Sequence, residues 1–171
     1  IDNARLTSFT KQLENYNFGS QEVVTYKSKD GKYEIEGILF KPFNFDSTKK
    51  YPLVVTIHGG PYGNFRNVFL QSYEVKILNE NGYLVFAPNP RGSSGYSDEF
   101  SQSNRYDLGG GDYDDIISGV DFLISKGIVD SSRMGVIGGS YGGYMTNWII
   151  SQTNRFKAAV SMYGIFSYFT D

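Results

Sequence analysis

A serine framed by glycines, Gly138-Gly139-Ser140-Tyr141-Gly142, is the place in this 171-residue chain where residue type and spacing point most directly to chemistry. The apolar, β-branched run Met134-Gly135-Val136-Ile137 leads into it, and a helix-compatible stretch follows. On a very sharp strand-to-helix turn a serine hydroxyl stands clear of the sheet. Small residues two positions either side let strand and helix approach without Cβ clashes. The chemistry would be acyl transfer, with Ser140 as the attacking nucleophile. The five letters alone specify little, because a glycine-rich turn that only packs would also show them. The flanking strand and helix are what the mechanism demands.

Acyl transfer passes through a tetrahedral intermediate whose oxyanion needs two preorganised N–H donors, and losing one raises the barrier by ~3–4 kcal/mol. In a strand–serine–helix architecture one donor is the amide after the nucleophile, here Tyr141. The other comes from the turn after an earlier strand, where the backbone must approach the oxygen closely. His58-Gly59-Gly60-Pro61 directly follows the apolar run Leu53-Val54-Val55-Thr56-Ile57. Gly60 is the expected second donor, with Gly59 as the fallback.

The elements that must position these residues follow from periodicity. Val23 to Tyr26 and Tyr33 to Phe40, separated by Lys29-Asp30-Gly31, read as an antiparallel hairpin. Residues 53–57 and 83–87 read as buried strands, the second ended by Pro88 and Pro90. Residues 68–79 can be helical. Residues 112–126 give the clearest helix, with Ile116, Val120, Leu123 and Ile124 at helical spacing and Asp112 as N-cap candidate. A strand at 134–138, a helix at 141–151 and a strand at 157–162 complete the alternation. Strands alternating with helices predict βαβ units and a mostly parallel α/β sheet, entered through the hairpin. Residues 1–19 read as a connector and residues 20–171 as one incomplete domain. The strand at 157–162 is expected to leave one edge of Ala158 to Val160 unpaired, which predicts that the isolated chain aggregates or that its missing portion accompanies it as another segment or chain, with an oligomer left open.

Composition narrows the functional classes. The net charge is −2, so the chain carries no basic footprint for nucleic acid. It has no cysteine, which removes disulfides and thiolate metal sites and fits a reducing cytoplasm, the expected location. No apolar run approaches membrane-spanning length, and no membrane partner is expected. Asp112, Asp114 and Asp115 sit where carboxylates favour a helix N-terminus, so capping explains them better than a metal. Gly109-Gly110-Gly111 lacks the spacing of a nucleotide-binding loop, and no cofactor is expected. Arg91 reads as a structural support of its loop.

Three motifs in order, His58-Gly59-Gly60-Pro61, then Asn89-Pro90-Arg91-Gly92-Ser93-Ser94-Gly95-Tyr96, then Gly138 to Met145, make the chain resemble the prolyl oligopeptidase family of serine peptidases. The similarity is to the acylaminoacyl-peptidase and dipeptidyl-aminopeptidase-like branch. The resemblance implies the first six or so strands of an α/β-hydrolase fold, a peptide substrate, and a β-propeller upstream, whose last stretch Arg5-Leu6-Thr7 resembles. It also implies that the triad Asp and His lie downstream of the serine. The 31 residues after Ser140 contain no histidine, and the single histidine of the chain, His58, sits in the oxyanion turn. His58 is expected to be structural, and the chain alone nearly inactive, because an unassisted serine hydroxyl is a poor nucleophile. The segment after the 157–162 strand is implied to line the pocket through Ile165 and Tyr168, although ordinary core packing would place the same residue types there. Carboxylesterases on the same fold are the alternative, but they usually carry a third glycine where Pro61 stands and lack the Arg91 to Tyr96 segment. A non-catalytic binding module of this fold is the remaining alternative.

Overall fold

In a computed structural model that describes residue 11, residues 18–68 and residues 73–166, β1 (Gln21–Lys27) and β2 (Glu34–Phe40) form the antiparallel hairpin. Gly31 adopts φ 72 in its turn, a conformation that glycine reaches without the Cβ penalty. β2 then pairs antiparallel with β4 (Leu84–Asn89), which pairs parallel with β3 (Tyr51–Ile57). β3 pairs parallel with β5 (Val129–Gly139), and β5 with β6 (Ala158–Met162). The sheet order β1-β2-β4-β3-β5-β6 is the mostly parallel α/β sheet with an antiparallel entrance that the alternation predicted.

The strand β4 shows why the layers form. Leu84 and Phe86 face the larger core with Ile116, Val120 and Leu123 of α3 (Gly111–Ser125) and Met145 and Ile149 of α4 (Tyr141–Gln152). Val85 and Ala87 face the opposite side with Ile38, Phe40 and Val75 of α1 (Tyr73–Glu80). Successive side chains on a strand point to opposite faces, so a strand with helices on both sides is apolar throughout.

Several boundaries depart from the sequence reading. Strand β4 runs through Pro88 instead of ending there. Its ladder with β3 covers only Leu84 to Phe86, so the missing N–H of Pro88 falls beyond the last paired position. Strand β5 begins at Val129, earlier than the apolar run, because Tyr51 pairs with Val129 across a register shift. A short helix, α2 (Asp98–Gln102), was not foreseen. The Ser97 side chain caps it by accepting from the Phe100 amide. The N-cap of α3 is Gly110, not Asp112. The connector assigned to residues 1–19, including Arg5 to Thr7, lies almost entirely outside the described residues. No helix among the described residues is long and apolar enough to cross a membrane.

Candidate active site

Ser140 stands between β5 and α4 at φ 57 and ψ −121, a left-handed conformation that a non-glycine residue avoids unless its surroundings impose it. The surroundings do impose it. A Cβ at Gly138 would collide with the Gly142 carbonyl, and a Cβ at Gly142 would collide with the Ile57 carbonyl at the end of β3. The Ser140 amide donates to the Met162 carbonyl at 3.0 Å, and its own carbonyl accepts from Gly143 and Tyr144 at 2.9 and 3.1 Å. The backbone is therefore held from β6 on one side and from the first turn of α4 on the other. The side chain is exposed, and among the described residues its hydroxyl makes no hydrogen bond.

Pairing of β3 with β5, which matches Ile57 with Gly138, carries the His58 to Pro61 turn to the same end of the sheet. A Cβ built on Gly59 would lie 3.5 Å from Ser140 Cβ and 3.9 Å from Ser140 Oγ, so this glycine faces the hydroxyl directly. Gly60 follows at φ 131 with a cis bond to Pro61, and the Gly63 amide donates to the Gly59 carbonyl at 3.1 Å. The other expected donor, Tyr141, opens α4, where first-turn amides have no carbonyl one turn earlier in the helix and the dipole is positive.

His58 is engaged away from the serine. Its Nδ1 lies 2.9 Å from the Gly59 carbonyl. Its Nε2 lies 3.0 Å from Ser93 Oγ, whose hydroxyl also reaches the Pro90 carbonyl at 2.6 Å. Burial holds the imidazole below its ordinary pKa. This geometry suits a structural strut between the two loops.

Arg91 serves the loop after β4 in the same way. Its Nε and Nη2 donate to the two Asp115 oxygens at 2.8 Å each, and its Nη1 donates to Asp30 at 2.9 Å. The guanidinium lies over the Tyr33 ring at 5.1 Å. The Asp115 hydrogen bonds raise the Arg91 pKa further, and those from Arg91 hold Asp30 well below the usual carboxylate range. The capping reading of the three aspartates needs correction accordingly. Asp115 is the buried partner of Arg91, Asp114 pairs with Lys29 at 2.9 Å, and Asp112 accepts from the Tyr141 hydroxyl. Asp112 also accepts from the amides of Gly109 and Tyr113 at 2.9 Å each, and Asp115 from the Arg91 amide at 2.9 Å.

Of the two pocket residues, Ile165 is half-buried just beyond β6, and Tyr168 lies outside the described residues. Residues 161–164 pack on the start of α4, with the Ser161 hydroxyl donating to the Gly143 carbonyl at 3.0 Å. Sequence reasoning missed Tyr163. Its ring lies over the α-carbon of Gly139, where a Cβ would meet its atoms at 2.6–2.8 Å, and it is 80% exposed beside the nucleophile. The only sequence trace of that contact is the absence of a side chain before Ser140. Among the described residues no group of three or more His, Cys, Asp or Glu side chains could hold a metal ion.

Comparison with known proteins agrees with this geometry. The chain is 42% identical over 156 residues to the uncharacterized peptidase YuxL of Bacillus subtilis, covering 91% of this chain and 23% of that protein. It is 37% identical to dipeptidyl-peptidase 5 of Schizosaccharomyces pombe, covering 86% of this chain and 22% of that one. A solved acylaminoacyl peptidase in complex with Z-Gly-Gly-Phe-chloromethyl ketone superposes with a TM-score of 0.87 at 35% identity, covering 96% of this chain and 26% of that one. The chain thus spans about a quarter of the length of the relatives it matches. The family model that matches residues 69–171, more than half of the sequence, is that of the prolyl oligopeptidase family, and the chain belongs to it.

Proposed function

We propose that this chain carries the nucleophile of a serine peptidase that cleaves short peptides, of the acylaminoacyl or aminoacyl type, through an acyl-enzyme on Ser140. The observation that carries the reading is the strained backbone of Ser140, which presents an exposed hydroxyl between Gly59 and the N-terminus of α4. Ser140 Oγ attacks the peptide carbonyl carbon, and the Tyr141 and Gly60 amides stabilise the resulting oxyanion. The Gly59 position against Ser140 supports a donor from this turn. The serine proton passes to a histidine supplied by sequence outside these 171 residues and oriented by an aspartate there. That histidine returns the proton to the leaving amine as the C–N bond breaks, and water then hydrolyses the ester. Ile165, beside the elbow, and Tyr168 line the acyl-side pocket. A peptide-binding role draws support from the peptide-derived ligand in the solved relative.

The reading is tested in the full-length protein. Ser140→Ala should lower kcat by about 10⁴-fold or more, since loss of a nucleophile removes the covalent route. A fluorophosphonate probe should label the unsubstituted protein at Ser140 and leave the alanine variant unlabelled. Aminoacyl anilides should be preferred to short p-nitrophenyl esters, the reverse preference indicating an esterase. Ordinary turnover in Ser140→Ala would end the assignment.

A further inference from the structure

Asp112 is a fully buried carboxylate, at 0% exposure, and no salt bridge reaches it among the described residues. A charge in that position is costly unless donors replace its lost water. Four do so. One oxygen accepts from the amides of Gly109 and Tyr113, at 2.9 Å each. The other accepts from Asn104 Nδ2 at 3.3 Å and from the Tyr141 hydroxyl. These donors come from the loop before α3, from α3 itself and from the first residue of α4. The carboxylate therefore ties three segments together at a point one residue from Ser140.

The same face of α4 makes two further ties. Tyr144 Oη donates to the Leu108 carbonyl at 3.3 Å, and Trp148 Nε1 donates to the Gly109 carbonyl at 2.6 Å. Residues 141, 144 and 148 fall at i, i+3 and i+7, on one stripe of a helix. Three side-chain donors along that stripe fix both the rotation of α4 and its position along its axis. Gly109 makes room for this. A Cβ at Gly109 would lie 2.9 Å from Trp148 Nε1, and one at Gly111 would lie 2.7 Å from the Arg91 side chain. Within the Gly-Gly-Gly run that resembles no nucleotide loop, Gly109 is the point on which α4 rests, while Gly110 and Gly111 give room to Asp107 and Arg91.

Helix ends fray more readily than helix middles, yet an oxyanion donor must stand within about 0.2 Å of its working distance to be worth several kcal/mol. We infer that Asp112 is a positioning residue for catalysis, holding the Tyr141 side chain so that the Tyr141 amide is fixed where the oxyanion forms. This inference rests on the proposed role of Ser140 and goes beyond it by naming what orders the donor. Asp112 touches no substrate and acts only through Tyr141.

The test uses the full-length protein with Tyr141→Phe, which deletes one hydroxyl, and Asp112→Asn, which keeps the shape of the carboxyl group. Active sites are counted by fluorophosphonate labelling, so that kcat refers to competent molecules. Tyr141→Phe should lower kcat about tenfold with KM within about twofold, the signature of an interaction made in the transition state. Affinity for a peptide boronic acid, which forms a tetrahedral adduct, should fall by the same factor as kcat/KM. Asp112→Asn should act in the same direction, and the double variant should be no worse than the more severe single one, because both break one link. A purely structural role would lower the labelled fraction and Tm while leaving kcat per labelled site unchanged. That result, or additive losses in the double variant, would overturn the inference. Failure of the unsubstituted protein to label would instead overturn the reading of Ser140 itself.

Discussion

The elbow at residues 138–142 and the arginine loop at residues 89–96 lie at the same end of the sheet but are held by opposite means. The elbow is shaped by the absence of side chains: Gly138 and Gly142 leave no space for a Cβ, and the strain falls on Ser140 at φ 57. The loop is shaped by one large side chain, with Arg91 forking onto Asp115 and reaching Asp30. A reacting hydroxyl must stay exposed, so contacts to its own side chain cannot fix it and the backbone must do so. A supporting loop has no such restriction and can be fixed by buried charge. Positioning by shape costs strain, whereas positioning by charge costs desolvation.

The contrast yields a graded set of tests. Arg91→Ala should be the most damaging to stability, by ~3–5 kcal/mol, because it leaves the Asp115 carboxylate buried without its partner. Arg91→Lys keeps the charge but loses the fork and should cost about 1.5–3 kcal/mol in denaturant unfolding. Equal stability of the lysine variant and the native protein would show that charge, not geometry, holds the loop. Gly142→Ala should cost ~1–3 kcal/mol from overpacking against the Ile57 carbonyl, and it should also reduce labelling of Ser140. An alanine variant that labels at the native rate would contradict shape as the positioning device. Ser140→Gly should gain about 1 kcal/mol, since glycine occupies the same backbone without strain. No change in its unfolding midpoint would mean that the turn stores no strain.

The smallest effect concerns pH. Burial lowers the His58 pKa in the folded protein, so as pH falls the unfolded chain takes up its proton first. This contribution to stability is complete above about pH 6.5, the ordinary imidazole value, and is lost as pH falls through the folded value. The unfolding midpoint should therefore drop less between about pH 7 and pH 5 in His58→Asn than in the native protein. Identical slopes would indicate that the strut between the Gly59 and Ser93 loops does not titrate with folding.

The aspartates at the start of α3 show where sequence reading loses its footing. Their position predicted helix capping, yet Asp112, Asp114 and Asp115 meet Tyr141, Lys29 and Arg91 respectively. Consecutive residues on a helix point in different directions by about 100° each, so neighbours in sequence meet different partners. Those partners come from separate parts of the chain, and no local rule names them. The elbow was legible because its requirements are local: a strand, a tight turn and a helix within a dozen residues. Tyr163 was not, because its contact with Gly139 exists only once β6 lies beside β5.

From the sequence alone came the alternation of strands and helices, the hairpin at Asp30-Gly31, and Ser140 as the residue whose setting fits a nucleophile. These follow from backbone sterics and side-chain periodicity, which act over a few residues. Tertiary structure decided the rest. Strands β4 and β6 are both largely apolar, yet β4 is buried throughout, whereas Val160 in β6 is 51% exposed. Strand β4 lies between β2 and β3, and among the described residues β6 pairs only with β5. The sheet order likewise brings Gly59 against Ser140 and Arg91 onto Asp115. Burial and long-range pairing depend on which neighbours the assembled sheet supplies, and that order is a property of the whole packed chain.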